Sequence, residues 1–282
     1  MPSRIYHYTN IESLALILKT KKLRFTRLDR VDDIREAQEH AGINFGKYFF
    51  VSCWTQQEIE SIPQWNMYSR EMQGVRIDLP EYPFNNQPLR PKPGWGGIEW
   101  TGELLSPLAF EDLFGNSYFI APTFLNRDHF AGPVEYVPDV EEIYTKAIHR
   151  QVEANGHVNL RIDNLPKLAR YKTDDWTFQK EYRFALFAMP SLPVPRDGPG
   201  SKGFFENIGT HMSDAFINNV DTGITYIDIL INPLVLDDLV IRTGPLCTPG
   251  GRACVEALLN QHAPRARLEA SALAGAIRSK GQ

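Results

Sequence analysis

Residues 175–189, "DWTFQKEYRFALFAM", alternate with a period of two. Gln179, Glu181 and Arg183 fall on one face, and Phe178, Tyr182, Phe184 and Leu186 on the other. A strand with an apolar underside and a hydrogen-bonding upper side belongs to an antiparallel sheet with one covered face. Glu181 and Arg183 then sit about 7 Å apart on the polar face. Two readings follow. In one they are an exposed ion pair worth about 0–1 kcal/mol. In the other they belong to a site, which requires a partner strand carrying further functional groups.

That partner is sought at residues 4–18, "RIYHYTNIESLALIL". Alternation here points Ile5, His7 and Thr9 one way and Tyr6 and Tyr8 the other. Thr9, Asn10, Ile11 and Glu12 then spell a capping box, and Leu14, Ile17 and Leu18 give the following helix its apolar face. Thr9 is accounted for either as a helix cap or as a contact for a ligand. His7 has no such local explanation. His7 and Glu181 are expected on neighbouring central strands, facing a common cleft.

The rest of the chain supports one mixed α+β domain with antiparallel strands. Its 282 residues, 43% of them hydrophobic, suffice for a substantial core. Helical stretches are expected at residues 26–42 and 139–156 and a closing helix at 250–263, with strands at 47–54, 74–79, 226–233 and 237–244. Proline, glycine and aromatic residues between about 81 and 133 predict an irregular insertion, and those between about 189 and 205 a mobile loop. The longest apolar runs, "YFFVSCW" and "YIDILINPLVL", fall far below the roughly 20 residues of a membrane span, and the start lacks a signal-peptide pattern. No membrane association and a cytoplasmic location are expected.

Several chemistries lose their usual signposts. Cys53, Cys247 and Cys254 are odd in number and match no zinc-ligand spacing, so they read as buried thiols and no metal is implied. There is no HExxH, no paired CxxC and no GxSxG. Thirty basic against thirty-four acidic residues leave a charge of -4, against a mainly electrostatic grip on nucleic acid. "TPGGRACVEALL" opens a helix with glycines but lacks the lysine-serine continuation of a phosphate loop. In "PQWNMYSREMQGVRI", Trp65 and Tyr68 share a helix face, as core or as a stacking wall for a planar ring. The charges of "RLDRVDDIRE" read as a solvated helix start.

Four of these motifs, in order, resemble the bacterial family catalogued as domain-of-unknown-function family 2971. The family's members open with Tyr-His-Tyr-Thr, continue through Asn-Asp-Pro-x-Glu and Trp-x-x-Tyr before a glycine, and finish with Trp-x-x-Glu-x-Glu-Tyr-Arg. Here they stand as Tyr6-His7-Tyr8-Thr9, Asp32-Asp33-Ile34-Arg35-Glu36, Trp65-Asn66-Met67-Tyr68 with Gly74, and Trp176 followed by Gln179-Lys180-Glu181-Tyr182-Arg183. Asp32 replaces asparagine, Ile34 proline and Gln179 glutamate. A second resemblance is to ADP-ribosyltransferases, whose His-x-Thr, stacking tyrosine and Gln-x-Glu elements are similar to His7-Tyr8-Thr9, Tyr68 and Gln179-Lys180-Glu181.

The second resemblance implies a split antiparallel sheet with flanking helices and NAD as the substrate, without a metal. Glu181 would bind the nicotinamide-side ribose and stabilise positive charge. Gln179 would orient an acceptor, which is a protein group, a nucleic-acid group or water. His7, with Tyr8 and Thr9 beside it, would hold the adenosine-side ribose, Trp65 or Tyr68 would stack on nicotinamide, and Arg183 would hold Glu181 or meet the pyrophosphate. Such a protein is expected to be a toxin or phage-defence effector released by an antitoxin or phage-protein trigger. Two alternatives stay open. One is a module that senses a nucleotide or phage protein without catalysis. The other is an RNA 2'-phosphotransferase-like enzyme, with Arg4, Arg24, Arg27 and Arg183 as phosphate-binding candidates.

Overall fold

The computed structural model describes residues 3–37, 39–90, 102–154, 158–191, 203 and 206–278. The strands used below are β1 (Arg4–Thr9), β2 (Lys22–Arg27), β3 (Phe49–Thr55), β4 (Val75–Pro80), β5 (Tyr118–Ala121), β6 (Ala131–Pro133), β7 (Glu135–Val137) and β8 (Tyr171–Thr173). They continue with β9 (Glu181–Pro190), β10 (Tyr226–Leu230), β11 (Val240–Thr243) and β12 (Arg267–Ala270). The helices used below are α1 (Ile11–Thr20), α2 (Ile62–Tyr68), α3 (Val140–Ala147), α4 (Ile208–Ile217) and α5 (Pro249–His262). A ten-stranded mixed sheet runs β6-β9-β3-β1-β4-β11-β12, with β5 also on β9, β2 on β3, and β10 on β2. The fold class is therefore α+β.

All ten residues of β9 are buried, so its polar face is covered as fully as its apolar one. β9 pairs with β3 from Glu181↔Thr55 to Phe187↔Phe49. Below it, Phe25, Phe84, Phe130 and Phe184 form an aromatic cluster with ring centroids 5.0–6.1 Å apart. Most pairs in the sheet are antiparallel, as expected, but β11 and β12 are parallel because α5 carries the chain back to the same end. The insertion is also less separate than its composition suggests. Its residues 91–101 lie outside the described set, while β5 and β6 extend β9. Most of the expected loop at 189–205 lies outside the described residues, and Met189 and Pro190 end β9.

Three local readings are corrected. Asn10, not Thr9, caps α1, its side chain accepting from Ser13 N at 2.7 Å. Residues 26–42 hold short 3-10 turns and a two-residue hairpin in place of a long helix. There the Asp33 side chain accepts from the Arg35 amide, a local bond that competes with helix continuation. The expected helix at 139–156 stops at Ala147, and Ile148–Val152 turns back to pair with Val158–Ile162.

The site is created by a split. β1 is paired with β4 along its length, from Arg4↔Pro80 to Thr9↔Val75, but meets β3 only at Tyr6↔Thr55. Beyond that pair the two halves of the sheet separate, and α1 and β2 flank the gap. On the β4 side the junction is tight. A Cβ on Gly74 would stand 2.2 Å from the Thr9 carbonyl oxygen, so glycine is required there. The preceding Arg70, Glu71 and Met72 all have positive φ, which ends α2 just after Tyr68.

Glu60 anchors this half from beneath. Its nearly buried carboxylate accepts from Trp65 Nε1 at 2.9 Å, Arg242 Nη1 at 3.0 Å, the Ala272 amide at 2.8 Å and the Ser271 hydroxyl. Burial acts to raise its pKa, but these donors outweigh it and hold it below the usual carboxylate value. Its contribution is thus present above that value and fades as pH falls through the lowered one. Glu60→Ala is expected to cost about 3 kcal/mol in denaturant unfolding, because buried donors lose their acceptor. Hydrogen exchange at Ala272 should accelerate with it; unchanged protection there would show that Glu60 does not hold the segment.

Candidate functional site

The split encloses a cleft of about 450 Å³. His7 and Thr9 enter it from β1, Cys53 from β3, Tyr68 from the end of α2, Gln179 from the turn before β9 and Glu181 from the start of β9. His7 and Glu181 therefore face a common cleft, but their strands are not neighbours: β3 lies between them. Gln179 is not on the strand. It ends a 3-10 turn, and Lys180, with φ 46°, swings the chain into β9.

Glu181 and Arg183 are not a surface pair, since they are 5% and 0% exposed. Arg183 Nε donates to Glu181 at 2.7 Å and its Nη1 to Glu36 at 2.6 Å. Lys172, from β8, lies 3.1 Å from Glu36 and 3.5 Å from Glu181. Two acids and two cations thus close a buried, charge-balanced ring. Its Lys172 corner is covered by the Trp176 ring, 4.4 Å from the ammonium. The solvated helix start expected at residues 27–36 is overturned here: Asp33 and Glu36 are 3% and 2% exposed, because they are partners of buried groups.

Burial acts to raise the Glu181 carboxyl, but Arg183 and Lys172 outweigh it and hold Glu181 below the usual carboxylate range. At Glu36 burial prevails and the carboxyl is pushed up despite the same two cations. Burial works against the Lys172 charge, yet the Glu181 and Glu36 carboxylates raise its pKa overall. Glu181 is thereby kept ionised at the cleft floor. The Cys53 thiol, pushed up by burial and then by the Glu181 charge, stays protonated. None of the three cysteines is fully buried, contrary to expectation.

His7 Nδ1 stands 2.9 Å from the Cys53 carbonyl oxygen, at the place where β1 leaves β3. A carbonyl only accepts, so Nδ1 carries the hydrogen and Nε2 is left as an acceptor. Burial lowers the pKa below 6.5, and the ring is neutral at pH 7. Tyr68 donates its hydroxyl hydrogen to Asp32 and accepts from Gln179 Nε2, each at 2.5 Å. Burial first, then this bond to Asp32, raises its pKa and keeps it protonated.

The other expected residues take different places. Trp65 is fully buried, packing edge-on against Tyr8 at 4.8 Å, so it is core and not a stacking wall. Tyr8 is 4% exposed and its hydroxyl accepts from the Ser61 amide; it backs the cleft wall. Arg183 lies behind Glu181 with no exposed surface, where no pyrophosphate reaches it. Lys172, Asp32 and Glu36 are the site residues that residue-by-residue reading missed. Their signal was the acid-rich stretch at 32–36, which only a long-range cation could explain.

Arg183→Met would leave Glu36 and Glu181 facing Lys172 alone. It is expected to lose roughly 3–5 kcal/mol in urea unfolding, as when one partner of a buried pair is removed. A loss below about 1 kcal/mol would mean that the ring is solvated. No protein-family model, curated protein or solved structure matches this chain.

Proposed function

We propose that the cleft binds NAD and cleaves its nicotinamide glycosidic bond, making the chain an ADP-ribosyltransferase or an NAD hydrolase on an ADP-ribosyltransferase-like split sheet. The observation that carries this reading is Glu181, a carboxylate kept ionised by Arg183 and Lys172 on a cleft floor shared with His7, Thr9 and Tyr68. In the reaction the bond from C1' to the pyridinium nitrogen breaks and its electron pair leaves with nicotinamide. The ribose becomes oxocarbenium-like, and a nucleophile adds to C1' with loss of a proton. Glu181 accepts from a ribose hydroxyl and faces the developing positive charge. Neutral His7 accepts a second hydroxyl through Nε2, and the Tyr68 ring, fixed by its bond to Asp32, stacks on the leaving base.

A binding module without turnover is favoured by one observation: both Glu181 oxygens already have cationic partners, which dilutes the negative charge offered to a transition state. Convergence of arginines on a phosphate finds less support. Arg4 pairs with Asp78 and Asp238, Arg24 with Asp228, Arg27 with Asp29 and Asp221, and Arg183 with Glu36 and Glu181.

Glu181→Gln separates catalysis from binding. Turnover of NAD is expected to fall by about two to three orders of magnitude with little change in affinity. Stability should drop too, since Arg183 and Lys172 lose a carboxylate, so activity is measured well below the melting temperature. Unchanged NAD consumption would end the catalytic reading. If NAD binds but the wild type never consumes it in the presence of cell extract, the binding module stands.

The His7 assignment predicts a pH dependence of its own. NAD affinity should be level above about pH 6.5 and decline only below it, as Nε2 takes up a proton and ceases to accept. Because the folded pKa is lowered, the neutral ring's contribution to stability follows the same direction, complete above that pH and lost as it falls. His7→Ala should flatten the affinity profile, and a decline persisting in that variant would assign it to another group.

A further inference from the structure

The hydrogen bonds around Tyr68 run in one direction, and the direction has chemical content. The phenol has a single hydrogen. Asp32 is a carboxylate that can only accept, so the hydrogen goes to Asp32 Oδ2. The Tyr68 oxygen can then only accept, and the group facing it must be the Gln179 amide nitrogen. Gln179 cannot turn over, because its carbonyl would then face the lone pairs of the phenol. Its main chain is also held: Gln64 Nε2 donates to the Gln179 carbonyl at 2.8 Å. Gln179 is 5% exposed and lines the cleft, and its Oε1 has no hydrogen-bond partner among the described residues.

A buried acceptor without a donor is costly, and a ligand that supplies one recovers that cost. We infer that the Asp32–Tyr68–Gln179 chain is a specificity device that selects a ligand carrying an N–H donor, the carboxamide of the nicotinamide ring, over an otherwise equal ligand that lacks it. Gln179 reads the amide, Tyr68 fixes the orientation of Gln179, and Asp32 fixes the orientation of Tyr68. This rests on the NAD reading above. It assigns Gln179 to the leaving ring instead of the acceptor, and makes Asp32 a positioning residue.

The probe pair is NAD and 3-acetylpyridine adenine dinucleotide, which have the same charge and differ only in a methyl group where NAD has its amide nitrogen. Dissociation constants are measured by calorimetry for the wild type, Tyr68→Phe and Asp32→Asn, at one pH and salt concentration. NAD should bind the wild type about tenfold more tightly than the analogue, as expected where a site is built to pair a donor. Tyr68→Phe keeps the ring and the Asp32 charge but frees the Gln179 amide to turn over, and the gap should close to within about twofold. Asp32→Asn, at an exposed position 3.7 Å from Lys172, lets the phenol hydrogen swing to Gln179 and should narrow the gap as well.

Equal binding of the two dinucleotides by the wild type would overturn this inference and leave the NAD reading intact. A gap that survives Tyr68→Phe would overturn the relay and place the amide elsewhere. Binding of neither dinucleotide would overturn both.

Discussion

A buried ring of four charges holds the cleft side of the sheet together. Glu36, Lys172, Glu181 and Arg183 come from a 3-10 turn, from β8 and from the start of β9, and each would be ruinously placed alone. Together they balance. Because Lys172 serves Asp32, Glu36 and Glu181, and Arg183 serves Glu36 and Glu181, loss of either cation leaves an uncompensated charge in a space water does not reach. The ring also ties the segment at 28–37 to the sheet, which brings Asp32 and its hydrogen-bonded partner Tyr68 to the cleft. Structure and chemistry therefore draw on the same groups: the cations that make Glu181 tolerable are also those that keep it ionised.

The second constraint is geometric. A single register contact, Tyr6↔Thr55, joins β1 to β3, and past it the ladder is abandoned. Unpaired backbone at such a place is costly, and the His7 ring meets part of the cost by bonding the Cys53 carbonyl. That bond fixes the tautomer, so a repair to the sheet becomes a directed acceptor in the cleft. On the other side, Gly74 lets the left-handed turn after α2 approach the end of β1, which is what brings Tyr68 over the gap.

Three acceptors, His7 Nε2, Gln179 Oε1 and the Glu181 carboxylate, belong to residues that line the cleft, beside the cations Arg24, Arg30 and Lys172. Acceptors pair with hydroxyl and amide donors, and at the cleft Arg24 and Lys172 are engaged by carboxylates.

Much of this was legible in the sequence. Period-two alternation located β1, β4 and β9, a continuous apolar run located β3, and the apolar spacing located α1 and α5, because those signals depend on local geometry alone. The polar faces carrying His7 and Glu181 were visible for the same reason. What alternation could not say was whether a polar face meets water or another charge. Glu181 and Arg183 read equally well as an exposed pair, and Asp33 and Glu36 as a solvated turn, since their burial depends on partners far along the chain: Thr173 for Asp33, and Lys172, 136 positions on (172 − 36), for Glu36. Trp65 and Tyr68 share a helix face, yet one fills the core and the other lines the cleft, which only the packing around α2 decides. The sequence alone determined the central strands, α1 and α5, and the chemical types they carry. Tertiary structure decided which charges are buried together, where the sheet splits and which way each hydrogen bond points, because those depend on groups far apart in the chain meeting in a space without water.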